Sequence, residues 1–388
     1  MKDVGYFDIE DCDLQDFARL CGQTLSAGQL RFATDVQKNV PLYDMPSLTA
    51  ALSDPAQRQS LLAEWGWVLG QSAGALVLKG AYEDTAPIDA ASRAYEAIIA
   101  EEKARSGGGA DHFAAAGAND RIWNSLQKLC ETDPETFALY FGNDAIAAVC
   151  EAWLGPCYQM TAQVNLVRPG GKAQVAHRDY HLGFQTAEAA GRFPAHVHDL
   201  SAVMTLQGAV AHCDMPVESG PTKLLPFSEL FRPGYMAYRR DDFRAYFEDH
   251  CIQLPLAKGD AVFFNPALFH GAGSNHSSDI NRMANLLQVS SAFGRAMESI
   301  DRTAMVRTLY PVVRALRAAG RLDDTGTAAA IAASAEGYSF PTNLDTDPPV
   351  GGLAPETQAA LFHRALSEDM APDAFNAALD AQNARRRA

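Results

Sequence analysis

The run YQMTAQVNL, residues 158–166, alternates along its whole length. Successive side chains of an extended chain point to opposite faces. Tyr158, Met160, Ala162, Val164 and Leu166 therefore share one face, and Gln159, Thr161, Gln163 and Asn165 share the other. This is a strand with two distinct faces. Moving outward, further extended segments are predicted at 201–211, 222–226, 252–256, 261–265 and 282–290, separated by the turns RPGG, ESGP, AKGD and GAGSN. Many short strands joined by Gly/Pro turns predict a sandwich or barrel. The flanks read differently. DPAQRQSLLAEWGWVLGQS and AASRAYEAIIAEEKARS before the β region, and RTLYPVVRALRAAG and PETQAALFHRALSEDM after it, carry apolar residues at three- and four-residue spacing. The expectation is a helical flank over 1–150, a β core over 151–295 and a helical extension over 296–388, integrated as one domain. GGGAD at 107–111 reads as a loop, and the basic end ARRRA as a solvated tail.

The composition narrows the function classes. The chain has 388 residues, 47% of them hydrophobic, enough for a large core. No run of 18 apolar residues is free of charge, and the opening MKDVGYFDIEDCD has no signal-peptide pattern, so a cytoplasmic protein is expected. With 32 Lys and Arg against 47 Asp and Glu, the net charge of −15 repels phosphate backbones and anionic membrane surfaces. Neither nucleic acid nor membrane is an expected partner. The seven cysteines are scattered and form no CxxC pair, which fits free thiols.

The chemistry concentrates in AHRDYHLGF, residues 176–184. A mononuclear iron oxygenase needs two imidazoles and one carboxylate on one face of an octahedron. His-x-Asp followed by a distant His supplies that set. Two such pairs occur, His177/Asp179 and His212/Asp214. The first follows a strand and a turn, whereas the second runs into MPVESGP, where side-chain directions are less regular, so the first is the better platform. His270 ends the apolar run of GDAVFFNPALFH and is the expected distal partner. Twelve residues later Arg282 opens a strand on which Arg282, Ala284, Leu286, Gln288 and Ser290 share a face. A guanidinium there can grip a carboxylate through two parallel hydrogen bonds. The plainer alternative for Arg282 is an ion pair with Asp279. His181 reads as a neighbour of the metal site or of the substrate pocket, His196 and His198 as loop or pocket residues, and His212 and Asp214 as turn formers. Arg168, Lys172 and Arg178 could attract an anionic substrate, although a solvated strand edge is the more common explanation for such charges, and AVFF reads as core.

AHRDYHLGF, SGPTKLLPFS and LAKGDAVFFNPALFHGAGSNHSSDINR together resemble the phytanoyl-CoA dioxygenase (PhyH-like) branch of the iron(II)- and 2-oxoglutarate-dependent oxygenases, over roughly residues 155–290. The resemblance implies a double-stranded β-helix (jelly roll), iron(II) held by His177, Asp179 and His270, and Arg282 binding the far carboxylate of 2-oxoglutarate, with dioxygen as the other cosubstrate. It places Gln163 and Asn165 toward cosubstrate or substrate. Thr222, after the Gly-Pro turn, and Gln288, on the strand face of Arg282, complete the expected cosubstrate site. Related halogenases have a small residue in place of the carboxylate ligand, so Asp179 favours hydroxylation, or a reaction that hydroxylation initiates, of a small-molecule metabolite with release of succinate and CO2. The sequence departs from the family pattern at LPFSEL and at His276. Two alternatives stay open: a cupin-like isomerase or hydrolase that uses no 2-oxoglutarate, and a ligand-binding jelly roll without catalysis. Homo-oligomerisation is left open as well.

Overall fold

The computed structural model describes residues 5–106, 119–339 and 343–387. The Gly-rich 107–111 stretch lies outside them. Ten strands occur among the described residues: β1 (Asp35–Gln37), β2 (Val40–Asp44), β3 (Ala75–Lys79), β4 (Asn119–Ile122), β5 (Gln159–Val167), β6 (Thr205–Ala211), β7 (Lys223–Leu224), β8 (Ala261–Phe264), β9 (His270–Gly271) and β10 (Arg282–Ser290). Eight form one sheet in the order β1-β2-β3-β8-β6-β10-β5-β4. The second sheet is built around the β7–β9 pair, which single bridges extend from His177 to His270 on one side and from Leu224 to Ile252 on the other. Two sheets wound from alternating strands in this way are a double-stranded β-helix.

Side-chain alternation decides which layer each residue joins. Met160, Ala162 and Val164 of β5 and Met283, Leu287 and Val289 of β10 pack with Leu126, Phe137, Ile146 and Leu309 of the helical layer. The opposite face of the large sheet, through Ala209, Val262, Phe264 and Ala284, meets Leu224 of the small sheet and Leu254 and Leu256 of the segment that follows its Ile252 bridge. AVFF is thus half helix-side core and half barrel interior, because its four residues alternate.

The described part of the first 150 residues is mainly helical, and two of its helices start where the sequence signals them. Asp54 accepts a hydrogen bond from Gln57 N–H at the start of the Pro55–Gln71 helix, and Asp133 does the same for Thr136 N–H ahead of the Pro134–Phe141 helix. The same segment also supplies four strands. β3 pairs antiparallel with β8, and β4 with β5, so both sides of the jelly-roll sheet are extended by N-terminal chain. The ALVLK of β3 is a short apolar run that periodicity cannot separate from buried helix. At the other end, Arg385 and Arg386 close the Pro372–Arg386 helix and contact Asp347, so they are not a free tail. Among the described residues no helix is long and apolar enough to cross a membrane.

His212 ties the helical layer to the sheet. It follows β6 and lies buried, its Nδ1 2.8 Å from Ser92 Oγ and its Nε2 2.8 Å from Tyr140 Oη. Burial pushes its pKa down to about 3. The imidazole is neutral when folded and can be protonated in the unfolded chain below about pH 6.5, so its contribution is complete above that value and is lost progressively as pH falls toward 3. The stability advantage of wild type over His212→Gln should shrink by about 2 kcal/mol between pH 7 and pH 5, at about 1.4 kcal/mol per unit below 6.5. Urea denaturation of both proteins at the two pH values measures it. An unchanged difference would mean that the ring is protonated in the fold.

Candidate metal centre

The small sheet assembles the cluster through its backbone. His177 N–H donates to His270 C=O (3.0 Å) and His270 N–H to His177 C=O (3.2 Å), which sets the two rings side by side with centroids 4.4 Å apart. Each Nδ1–H donates to a main-chain carbonyl two residues back, Val175 for His177 and Leu268 for His270, both at 2.8 Å. This fixes the tautomer and leaves both Nε2 lone pairs free. Asp179 Oδ2 lies 3.7 Å from His177 Nε2 and 3.5 Å from His270 Nε2, and the three ligand atoms all fall within 4.8 Å of one another. A single cation bonded to each at about 2.1 Å can bridge such separations with modest adjustment. Just after Asp179 the chain turns through Tyr180 (φ +65°) and His181 (φ +42°), left-handed conformations rare outside glycine.

The charges within the cluster are mutually dependent. Burial alone would raise the pKa of Asp179, but the two imidazoles hold it well below the ordinary carboxylate range. Burial likewise works against protonation of His177, yet the adjacent carboxylate carries its pKa above the usual value. In His270, burial and the neighbouring His177 prevail and the pKa is lowered. Two imidazoles facing an ionised carboxylate, with both Nε2 atoms turned inward, are a donor set suited to a divalent cation.

The cluster opens into a cavity of about 450 Å³ that also takes in Gln163, Asn165, Thr222, Arg282 and Gln288. The three cluster residues and the five residues expected at the cosubstrate site thus line one cavity. Arg282 is buried, and Nη1 donates to the carbonyls of Ser219 (3.2 Å) and Gly273 (3.3 Å). It forms no ion pair with a carboxylate among the described residues, Asp279 included, and burial lowers its pKa to about 10. A buried guanidinium without an anion is an incomplete arrangement. Gln163 Nε2, Asn165 Oδ1 and Gln207 Oε1 are also buried without a hydrogen-bond partner. Unsatisfied polar atoms of this kind mark a surface built for a polar ligand.

Other readings from the sequence resolve differently. His181 is exposed and lies outside the cavity. His196 and His198 sit on the Ala195–Val203 helix, where His196 is exposed and His198 is buried edge-on against Phe7. Asp214 accepts from Lys258 N–H (2.9 Å), a turn role, whereas His212 belongs to the helix–sheet interface. Arg178 is a correction. It is 2% exposed, donates from Nη2 to the carbonyls of Ser228 (2.6 Å) and Phe231 (2.8 Å), and lies over the rings of Tyr235 and Phe269. The divergent LPFSEL stretch supports the second histidine, because Ser228 Oγ accepts from Phe269 N–H (2.8 Å) and so braces the residue before His270.

Three residues escaped the sequence reading. Gln207 Nε2 donates to Asp179 Oδ2 (2.5 Å) and to Gln288 Oε1 (3.2 Å), coupling the cluster to β10. Its place as a lone amide among apolar residues of β6 was the available signal. Arg239 and Arg244, at the cavity wall, lie in YRRDDFR, whose interleaved charges of both signs look like an ordinary solvated helix start.

The geometry predicts that His270→Ala lowers affinity for a divalent cation by more than about 100-fold, since loss of even a supporting residue outside the ligand set costs 10- to 100-fold. His212→Ala should leave it unchanged. Anaerobic calorimetry with iron(II) decides this, and the reverse pattern would move the centre to the second His-x-Asp pair.

Known proteins resemble the chain over parts of its length. Dioxygenase andF of Emericella variicolor is 26% identical over 142 residues, 35% of this chain and 43% of that protein, and Dioxygenase cdmD of Talaromyces verruculosus is 28% identical over 139 residues, 35% and 41%. The chain spans less than half the length of these curated relatives. Among solved structures, the non-heme alpha ketoglutarate dependent carbocyclase SnoK from nogalamycin biosynthesis aligns with TM-score 0.45 and 19% identity over 62% of this chain and 89% of that one. HygX from Streptomyces hygroscopicus, solved with nickel, 2-oxoglutarate and hygromycin B, aligns with TM-score 0.41 and 14% identity over 61% and 90%. The profile of the phytanoyl-CoA dioxygenase (PhyH) family matches residues 70–284, more than half of the sequence, and the chain belongs to that family.

Proposed function

We propose that the protein is an iron(II)- and 2-oxoglutarate-dependent dioxygenase that hydroxylates, or otherwise oxidatively modifies, a small-molecule metabolite and releases succinate and CO2. The observation that carries this reading is Arg282, a buried cation without a counter-ion among the described residues, in the same cavity as a two-histidine, one-carboxylate cluster. In this reading His177, Asp179 and His270 hold the metal. Arg282 receives the far carboxylate of 2-oxoglutarate, with Gln163, Asn165, Thr222 and Gln288 as polar neighbours. When bound, iron(II), 2-oxoglutarate and dioxygen supply the oxidising power for breaking a C–H bond. The chain contributes position and environment. Val175 and Leu268 carbonyls orient the imidazoles, Gln207 holds the carboxylate, and the apolar wall of Ala209, Val262, Phe264 and Ala284 limits water near the metal. The presence of Asp179 supports oxygenation over halogenation. Seven cysteines without a disulfide fit a reducing, cytoplasmic setting.

Truncating one partner of a desolvated, two-pronged charge pair costs roughly 2–5 kcal/mol. Arg282→Ala should therefore weaken 2-oxoglutarate binding at least tenfold, at about 1.4 kcal/mol per decade, while metal affinity changes little because no ligand is lost. Titration of anaerobic wild-type and variant protein gives both constants. Unchanged 2-oxoglutarate affinity in a folded variant would leave a metallo-jelly-roll that does not use this cosubstrate.

A further inference from the structure

The same cavity has a second cationic wall that the reading above does not use. Arg239 and Arg244 line it from the segment around the Asp241–His250 helix. Neighbouring arginines are held by two-pronged carboxylate contacts: Arg232 by Asp199 (2.8 and 2.7 Å) and Arg240 by Asp242 (3.1 and 2.6 Å). Arg239 and Arg244 are not. Arg239 Nη2 donates to the carbonyls of Gly183 (3.2 Å) and Gln185 (3.0 Å), with the guanidinium over the Tyr238 ring, and forms no ion pair among the described residues. Arg244 Nε donates to Tyr238 C=O (3.3 Å), and its carboxylate contact, Asp241, is fully solvent-exposed and 3.8 Å away. Among the described residues Asp179 is the one carboxylate lining the cavity, and it belongs to the metal cluster. In a chain of net charge −15, carboxylates are in surplus. A wall on which two guanidinium groups lack close acidic partners, within a pocket almost free of acids, concentrates positive potential where the rest of the molecule is negative.

The mouth of this cavity is also apolar. Val175 (59% exposed), Phe184 (59%) and Met297 (37%) are exposed large hydrophobic residues, and all three line it. Exposed apolar side chains gathered around a pocket mark a binding surface.

We infer that the primary substrate is a small organic anion, with an apolar body against Val175, Phe184 and Met297 and a carboxylate or phosphate group held by Arg239 and Arg244. This rests on the oxygenase reading, because it assigns Arg282 and the metal cluster to the cosubstrate and leaves the Arg239/Arg244 wall for the substrate. Arg239 and Arg244 are then specificity-determining residues. They approach the anion from a wall already fixed to main-chain carbonyls, so little side-chain freedom is lost on binding.

The test uses one carbon skeleton with four head groups: 3-phenylpropanoate, 3-phenylpropyl phosphate, 3-phenylpropanol and 3-phenylpropylamine. Each is titrated by ligand-observed NMR into the full chain loaded with zinc(II) and saturated with 2-oxoglutarate. At least one anion should bind ten times more tightly than the alcohol or more, and the amine should be weakest. The tighter of the two anions identifies the head group as carboxylate or phosphate. Arg239→Ala/Arg244→Ala should reduce the preference of anion over alcohol at least tenfold, with 2-oxoglutarate affinity retained. The double Gln variant, which can still donate to the carbonyls, should lose the preference too, separating charge from local packing. Equal or absent binding of anion and alcohol in wild type, or a preference that survives in both double variants, overturns the inference. If 2-oxoglutarate fails to bind the wild-type protein, the oxygenase reading falls instead. The head-group comparison with metal alone then still decides the anion preference.

Discussion

The antiparallel register of β5 against β10 is the constraint on which the site depends. Asn165 stands opposite Ala284 and Gln163 opposite Leu286, so the polar face of one strand and the Arg282–Gln288 face of the other open into the same space. Their reverse faces supply Met160, Val164, Met283 and Leu287 to the helix-side core. A slip of one residue would exchange the two sets, burying Arg282 in a hydrocarbon layer and turning Leu287 toward the cavity. The packing of the helices against this sheet is therefore what holds the guanidinium and both amides in place. Stability and site geometry rest on the same contacts.

The metal cluster depends on the small sheet in a similar way, although that sheet is barely regular. Its two-residue pair and single bridges leave the backbone of residues 177 and 270 joined by reciprocal hydrogen bonds, and the imidazoles follow. Behind them Arg178 acts as an internal brace, drawing the carbonyls of Ser228 and Phe231 toward the chain between the two ligands of the His-x-Asp pair. One side chain in this tripeptide is thus committed to the core while its neighbours on either side face the cavity, as strand alternation requires.

Much of this is legible without the structure because the informative segments repeat with a clear period. The alternation of 158–166 and 282–290 marks the two central strands and their faces, and the order of His177, Asp179, His270 and Arg282 leads to one cavity. What stays hidden has physical reasons. β3 is too short and too uniformly apolar to declare itself a strand. Arg178 reads as a strand-edge charge because its partners are carbonyls, which every sequence supplies and none advertises. Gln207 acts across the sheet on a residue distant in sequence, and Arg239 and Arg244 are distinguished from Arg232 and Arg240 only by which carboxylates reach them in three dimensions.

The extension of the sheet by N-terminal strands has a consequence for how the chain acquires its fold. β3 leaves the ribosome well before its partner β8, whereas β4 waits only for β5, the next strand in the chain. Until then the early helices can form locally, but among the described residues the strands they flank have only β2 pairing beside β3 and nothing beside β4. Closing a pair as distant in sequence as β3 and β8 is entropically slow and leaves a strand edge open to intermolecular pairing meanwhile. The last major strand to be made, β10, inserts between β5 and β6 and is the piece that joins the two halves of the sheet. Because that strand also carries Arg282, completion of the sheet and completion of the cavity should be one kinetic event.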